Sequence, residues 1–183
     1  FLSFKAKVLD IKLKHNLPSL VEKYLPGKEY SVGIIEDSVN GNLRAMPIEI
    51  VVKKNMNGHR ILDFDVKKDD EERVIIVTDI KIFNKLSKLA KASFKALGGK
   101  SLGRIDIKMN HRSVPHFIEA NLMPGLRKGY FYRSCLLNLN MSYEQMILTV
   151  ADNGLSSQRI NFQSTKQLKK TTATLLNNHQ LAK

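Results

Sequence analysis

The sequence predicts an α+β fold, a largely antiparallel sheet with helices packed on one face. Three observations carry this. Short runs near Glu29–Glu36, Ile48–Val52 and Gly103–Met109 have the strand-like character of half-buried sheet. The run after Asp79 instead repeats its apolar residues at helical spacing. Turn signals such as Asn40-Gly41 separate the strand runs, so that sequence neighbours can pair. The resulting order is strands, helix, strands, helix.

The first element, Phe4–His15, alternates lysines with Val8, Leu9, Ile11 and Leu13. Helix and strand both fit, and Asn16-Leu17-Pro18 ends it. Leu20–Leu25 reads as a strand stopped by Pro26-Gly27. Glu29–Glu36 reads as the next, with Tyr30, Val32 and Ile34 alternating. Ile48–Val52 is a third strand, Asn57-Gly58 a second turn, and Ile61–Val66 a fourth strand. Lys67–Arg73 is almost wholly charged and reads as an exposed loop, followed by the short apolar run Val74–Val77.

Asp79 is placed to cap a helix reaching about Leu97. Ile82, Phe83, Leu86, Leu89, Ala90, Phe94 and Leu97 form its buried stripe, with the lysines mostly outside it. Gly98-Gly99 ends it. A hairpin follows, then an irregular segment, Leu122–Asn140. Ser142 with Gln145 is a capping-box pattern that starts a last helix. That helix is expected to run to about Asn153, with Gly154 as its stop. The tail after Ser156 is polar and basic, and reads equally as weak helix or disorder.

The 183 residues suffice for one sizeable domain, and 43% hydrophobic content is ordinary for a soluble protein. No apolar run approaches the length that crosses a bilayer. No signal peptide is expected at the N-terminus. Cys135 is the one cysteine, so an internal disulfide is excluded and a reducing cytoplasm is the expected setting. The net charge of +13 would suit nucleic acid, anionic lipid or phosphorylated substrates. The lysines are spread along the chain without an arginine cluster or stacking aromatics, which argues against nucleic acid as the main partner. The five histidines lack zinc-binding spacing.

The hairpin holds the candidate chemistry. Alternation puts Arg104, Asp106 and Lys108 on one face of its first strand. On the second strand Phe117, Glu119 and Asn121 share a face, opposite His116, Ile118 and Ala120. If Asn110–Ser113 closes the turn, Asp106 and Glu119 become near-diagonal neighbours able to meet a common ion. Such hard oxygen donors suit Mg²⁺, often shared with a substrate phosphate. A solvated polar hairpin face fits the same spacing. Pro124-Gly125 then forces a tight backbone that can aim amide N–H groups at an anion. Arg104 fits a salt bridge and a stabiliser of developing negative charge equally well. Upstream, Glu22 and Glu29 flank Pro26-Gly27, a pattern that is also that of an ordinary charged turn.

In order, these blocks resemble the ATP-grasp ligases, and within them the D-alanine–D-alanine ligase group. The resemblance covers roughly Leu20–Leu155. Glu22-Lys23-Tyr24-Leu25-Pro26-Gly27-Lys28-Glu29 looks like the hinge that holds adenine and ribose. Asp63-Phe64-Asp65-Val66-Lys67 looks like the start of a loop with a phosphate-contacting lysine. Gly103-Arg104-Ile105-Asp106 and Phe117-Ile118-Glu119-Ala120-Asn121-Leu122-Met123-Pro124-Gly125 look like the metal and transition-state segment.

The resemblance implies an ATP-grasp C-terminal subdomain and an ATP-dependent carboxylate–amine ligase working through an acyl phosphate. Glu22 would accept from the adenine amino group, Lys23, Tyr24 and Leu25 would complete that contact segment, and Glu29 would bind ribose. Lys67 would sit by the phosphates. Asp106, Glu119 and Asn121 would hold two Mg²⁺ ions, with Mn²⁺ as an alternative. Arg104 and the backbone at Gly125 would stabilise the tetrahedral intermediate. The partners implied are ATP and small carboxylate and amine substrates, with no membrane, and a homodimer is left open.

Residues 1–18 would end the preceding subdomain, 19–156 would be the C-terminal domain, and 157–183 a basic tail. The family's upstream half is absent, so the chain is expected to be inactive alone. Two departures stand out. Tyr130-Phe131 replaces a Ser-Leu pair that helps hold the second substrate's carboxylate, so D-alanine is not carried over as that substrate. Lys68 replaces an aromatic after the loop lysine. Ligases for other amino acids or peptides, and a non-catalytic nucleotide- or partner-binding module, are the alternative readings.

Overall fold

The computed structural model describes residues 2–37, 40–52 and 72–156. Its centre is a five-stranded antiparallel sheet. The strands are β1 (Glu29–Glu36), β2 (Leu43–Val51), β3 (Arg73–Ile76), β4 (Leu102–Met109) and β5 (Pro115–Asn121). They lie in the order β3-β2-β1-β4-β5. The helices are α1 (Leu2–His15), α2 (Ile80–Ala96) and α3 (Tyr130–Leu139), with residues 143–156 forming α4. The expected α+β class and antiparallel sheet are as observed.

The helices are divided between both faces rather than gathered on one. Alternation sends Tyr30, Val32, Ile34, Ile105 and Ile107 to one face, where they bury Leu86, Ala90 and Phe94 of α2. The opposite face carries Ile35 and Met46, which pack with Phe131 and Cys135 of α3 and Met146 of α4. β1 and β2 are apolar on both sides, so each side needs a cover. Gly33 lies where α3 approaches: a side chain there would start 3.0 Å from Ser134 Cβ.

Helix α2 follows its sequence signals. Asp79 Oδ1 accepts from the N–H groups of Lys81 at 2.8 Å and Ile82 at 3.2 Å. At the other end Gly98 takes φ +67°, and Gly99 donates its N–H to the Phe94 carbonyl. Leu97 lies at this frayed end and is exposed rather than part of the stripe. Ser142 and Gln145 form the expected capping box, exchanging bonds of 2.8 and 3.2 Å. Gly154 does not stop α4, which stays helical through 156. Glycine inside a helix costs only about 1 kcal/mol relative to alanine.

Three further expectations change, and one that was left open is settled. Leu20–Leu25 is extended coil rather than a strand. Leu20 and Val21 are exposed, so the run has no packing to reward pairing. β2 starts at Leu43 rather than Ile48 and runs through Pro47. Pairing with β3 reaches back only to Ile48, so among the described residues β2 is an edge strand from Pro47 backward, where proline is tolerated. The irregular segment contains α3, whose N-cap Gly129 makes no side-chain cap bond and so leaves no sequence signal. The first element is a helix, and none of its residues is buried. The turn at Asn57-Gly58, the strand Ile61–Val66, Lys67 and the tail 157–183 lie outside the described residues.

Candidate active site

The register of β1, β4 and β5 builds a polar lattice on the α3 face of the sheet. Three successive rungs are Glu29–Lys108, Ser31–Asp106–Glu119 and Gly33–Arg104–Asn121. Asp106 and Glu119 are thus directly opposed, closer than the diagonal the sequence suggested. Residues opposite each other on one face are the nearest side-chain neighbours in a sheet.

The pairing shifts register between Asp106 and Ile107. This bulge changes which side chains of β5 share the patch. Beyond it His116 lies opposite Lys108 and Phe117 opposite Ile107. The expected grouping of Phe117 with Glu119, and of His116 away from the acids, is therefore reversed. One inserted residue flips every later side chain on a strand.

Arg104 grips Asp106 with two bonds, Nε to Oδ1 at 3.0 Å and a terminal nitrogen to Oδ2 at 2.8 Å. The Ser31 hydroxyl donates to the same Oδ1 at 2.7 Å. Arg104 also lies 3.7 Å from Glu119 Oε1. Arg104 and Asp106 side chains are only 17% and 16% exposed, whereas Glu119 is 59% exposed. The arginine therefore has one fixed partner and one that can swing outward. The Asn121 carboxamide oxygen accepts the Met123 N–H at 3.1 Å, which orients it just before Pro124-Gly125.

Lys108 Nζ lies 2.9 Å from Glu29 Oε2 and 5.9 Å from the Tyr24 ring centre. Tyr24 and Glu29 of the proposed hinge are thereby brought beside the patch. Backbone bonds anchor this segment: Gly27 N–H donates to the Met109 carbonyl, and Met109 N–H to that of Lys28. Glu22 and Lys23 are exposed, and no hydrogen bond or ion pair among the described residues ties them to the patch. Leu25 is half-buried and Gly125 is exposed. Ser31 is a member of the patch that the sequence did not suggest, whereas Tyr130 belongs to the pair that departs from the family's Ser-Leu. A hydroxyl within an otherwise apolar strand was the only signal for Ser31.

Tyr130, at the start of α3, lies with its ring centre 5.8 Å from the Arg104 guanidinium. Its hydroxyl donates to Glu72 Oε1 at 2.7 Å. Burial first, then this bond and the Glu72 charge, raise its pKa far above the usual phenol value. The phenol is therefore a neutral donor at physiological pH.

The donor set fits a hard divalent cation. Two carboxylates and a carboxamide occupy adjacent rungs, and Mg²⁺ characteristically takes one or two carboxylates plus substrate phosphates. Among the described residues there is no group of three or more His, Cys, Asp and Glu that could form an all-protein cage. A cleft of about 650 Å³ opens on the opposite face, beside Pro26, Glu49, Asp79 and His111. It contains none of the polar lattice, so the chemistry rather than the cavity marks the site.

The antiparallel sheet with this polar row is the C-terminal part of an ATP-grasp fold. Residues 5–152 match the family described as D-ala D-ala ligase C-terminus, and the chain belongs to that family. It is similar to the D-alanine–D-alanine ligase of Clostridium perfringens, with 23% identity over 80% of this chain and 46% of the relative. For the enzyme of Dichelobacter nodosus the identity is 25%, over 75% and 43%. The chain thus spans less than half the length of these curated relatives.

Among solved structures, the Bacillus anthracis D-alanine–D-alanine ligase complexed with ATP superposes with a TM-score of 0.65 and 17% identity. The match covers 86% of this chain and 48% of that one. The VanG D-Ala:D-Ser ligase of Enterococcus faecalis gives 0.55 and 17%, over 72% and 37%. These structural likenesses speak for the fold.

Proposed function

We propose that the complete protein is an ATP- and Mg²⁺-dependent carboxylate–amine ligase that forms a peptide-type bond through an acyl phosphate. The observation that carries this reading is the row of Arg104, Asp106, Glu119 and Asn121 on one face, in a chain of the D-alanine–D-alanine ligase family. One of its structural neighbours is a ligase complexed with ATP.

In this reading a substrate carboxylate attacks the γ-phosphorus of ATP, releasing ADP and leaving an acyl phosphate. An amine then attacks the carbonyl carbon, phosphate leaves, and the amine loses a proton. Both steps gather negative charge on oxygen. Asp106, Glu119 and Asn121 would hold the cation, which neutralises phosphate charge and polarises the transferred group. Arg104, held flat by Asp106, would present its remaining N–H groups to the tetrahedral oxyanion with little reorganisation. The backbone at Gly125 would add a further donor. Glu29, steadied by Lys108, would accept from the ribose hydroxyls, and Glu22 with Lys23, Tyr24 and Leu25 would contact adenine. Lys67 would sit by the phosphates. No enzyme nucleophile is needed: Cys135 is buried, and burial pushes its thiol up to about 12.

Residues 1–18 are read as the end of the preceding subdomain, and the lack of burial in α1 supports this. Residues 19–156 would form the C-terminal domain and 157–183 a basic tail. No helix among the described residues is long and apolar enough to cross a membrane. We place the enzyme in the cytoplasm, where its nucleotide substrate is made.

The test is a screen of amino-acid and peptide pairs with the complete gene product, ATP and Mg²⁺. ADP, phosphate and an amide should appear in equal amounts for at least one pair. Absence of all three across the screen would contradict the proposal.

A further inference from the structure

Among the described residues, Glu72 is the one buried acid that the proposed chemistry leaves without a task. It is only 8% exposed. Its Oε1 accepts from the Tyr130 hydroxyl at 2.7 Å, while its Oε2 is buried and has no hydrogen-bond partner among the described residues. Among the described residues it forms no ion pair. The neighbouring acids of the site are all matched: Asp106 by Arg104, and Glu29 by Lys108.

An unmatched carboxylate oxygen out of water is costly, and such groups are retained where something supplies the missing donor. Tyr130 cannot do so, because its single O–H is already given to Oε1. Nor does Arg104, whose guanidinium lies against the face of the Tyr130 ring and pairs with Asp106 and Glu119 rather than with Glu72.

The position is informative. Tyr130 touches the Arg104 guanidinium with its face and Glu72 with its hydroxyl, so it spans from the oxyanion stabiliser to the orphan oxygen. A substrate group on Glu72 would therefore lie at the far end of the Tyr130 ring from Arg104. The missing partner must donate hydrogen bonds and carry positive charge, because a charge-assisted bond offsets the burial of a carboxylate best. An amine that attacks a carbonyl must itself be neutral, so it cannot serve both purposes.

We propose that Glu72 and Tyr130 form a cation-recognition site for the amine substrate, which is a diamine or basic amino acid bearing a second, protonated ammonium group. The site rests on the ligase reading for its place in the reaction, and on Glu72 alone for its chemistry. The attacking amine faces Arg104 while the distal ammonium donates to Glu72 Oε2.

Two measurements on the complete gene product test this. The first is kinetic: phosphate release with lysine, ornithine and alanine as the amine substrate. Lysine or ornithine should be preferred, and Glu72→Gln should lower their preference over alanine by about ten- to a hundredfold, the worth of a hydrogen bond to a charged group. Tyr130→Phe should lower it in the same direction while keeping the ring against Arg104. A preference for alanine in the wild type, or an unchanged preference in Glu72→Gln, would overturn the inference and leave the ligase reading standing.

The second is calorimetric titration with 1,5-diaminopentane. The wild type should bind it and Glu72→Gln should bind at least about tenfold more weakly. If no amino acid releases phosphate but this difference holds, the ligase reading fails and the cation site survives. Equal binding by both proteins, or none by either, overturns the site.

Discussion

Arg104 holds both oxygens of Asp106, at 3.0 and 2.8 Å, while Glu119 stands directly across the sheet from Asp106 and 3.7 Å from the same guanidinium. One arginine thus organises both acids. Asp106 fixes its plane, and the exposed Glu119 can leave it for a cation without disturbing that plane. The fixed bidentate fork is what a flexible ammonium cannot reproduce.

Arg104→Lys should therefore retain charge but lose geometry. Phosphate release should fall by about 100- to 1,000-fold in kcat, the range for removing an oxyanion donor. The KM for ATP should change little. A steady-state comparison with the wild type checks this, and an unchanged kcat would leave Arg104 as a structural partner of Asp106.

Gly27 is required for a contact rather than for a turn. A Cβ there would lie 2.5 Å from the Met109 carbonyl oxygen and 2.7 Å from Met109 Cβ. The backbone of β4 cannot step aside, so Gly27→Ala should detach the segment that leads Tyr24 and Glu29 to Lys108. Denaturant unfolding should show a loss of about 1–3 kcal/mol, the usual cost of overpacking. The KM for ATP should rise in the same variant, because the segment proposed to bind the nucleotide is displaced.

Alkaline pH should destabilise the fold through two buried groups. Burial raises Cys135 and Tyr30 to about 12, and nearby Glu49 and Asp79 add to the effect on Tyr30. The unfolded chain releases these protons earlier, so it binds fewer protons than the folded state and stability falls as pH rises. The contribution is complete below about pH 9 and is lost towards about pH 12. Melting temperatures across that window should decline, and Cys135→Ala should flatten the slope. Native Cys135 should resist iodoacetamide until denaturant is added.

Much of this site was legible because its parts are local. Arg104 and Asp106 lie two residues apart on one strand, and a tight turn returns the chain to Glu119 and Asn121. Alternation then places all four on one face. The caps of α2 and α4 were likewise legible, since Asp79, Ser142 and Gln145 bond to backbone within three residues. What stayed hidden depends on distant packing. The bulge that moves His116 and Phe117 has no sequence mark. α3 starts without a capping side chain, and its burial depends on strands nearly a hundred residues earlier. The run at Leu20–Leu25 had strand composition but pairs with no strand among the described residues. The Tyr130–Glu72 bond joins residues 58 apart, beyond the reach of any local pattern.

We propose that the opposed pair Asp106 and Glu119 holds the cation that makes the phosphoryl transfer possible. This is tested most directly by titrating Mg²⁺ into the complete gene product and its Glu119→Gln variant while following ADP and phosphate release. The wild type should be inactive without the metal and saturate with it. Glu119→Gln keeps the side chain's shape and removes its charge, so it should need far more Mg²⁺ and reach a rate lower by about 100-fold or more, since metal stabilisation of transition-state charge is worth several kcal/mol. Equal rates and equal Mg²⁺ dependence in the two proteins would contradict the account.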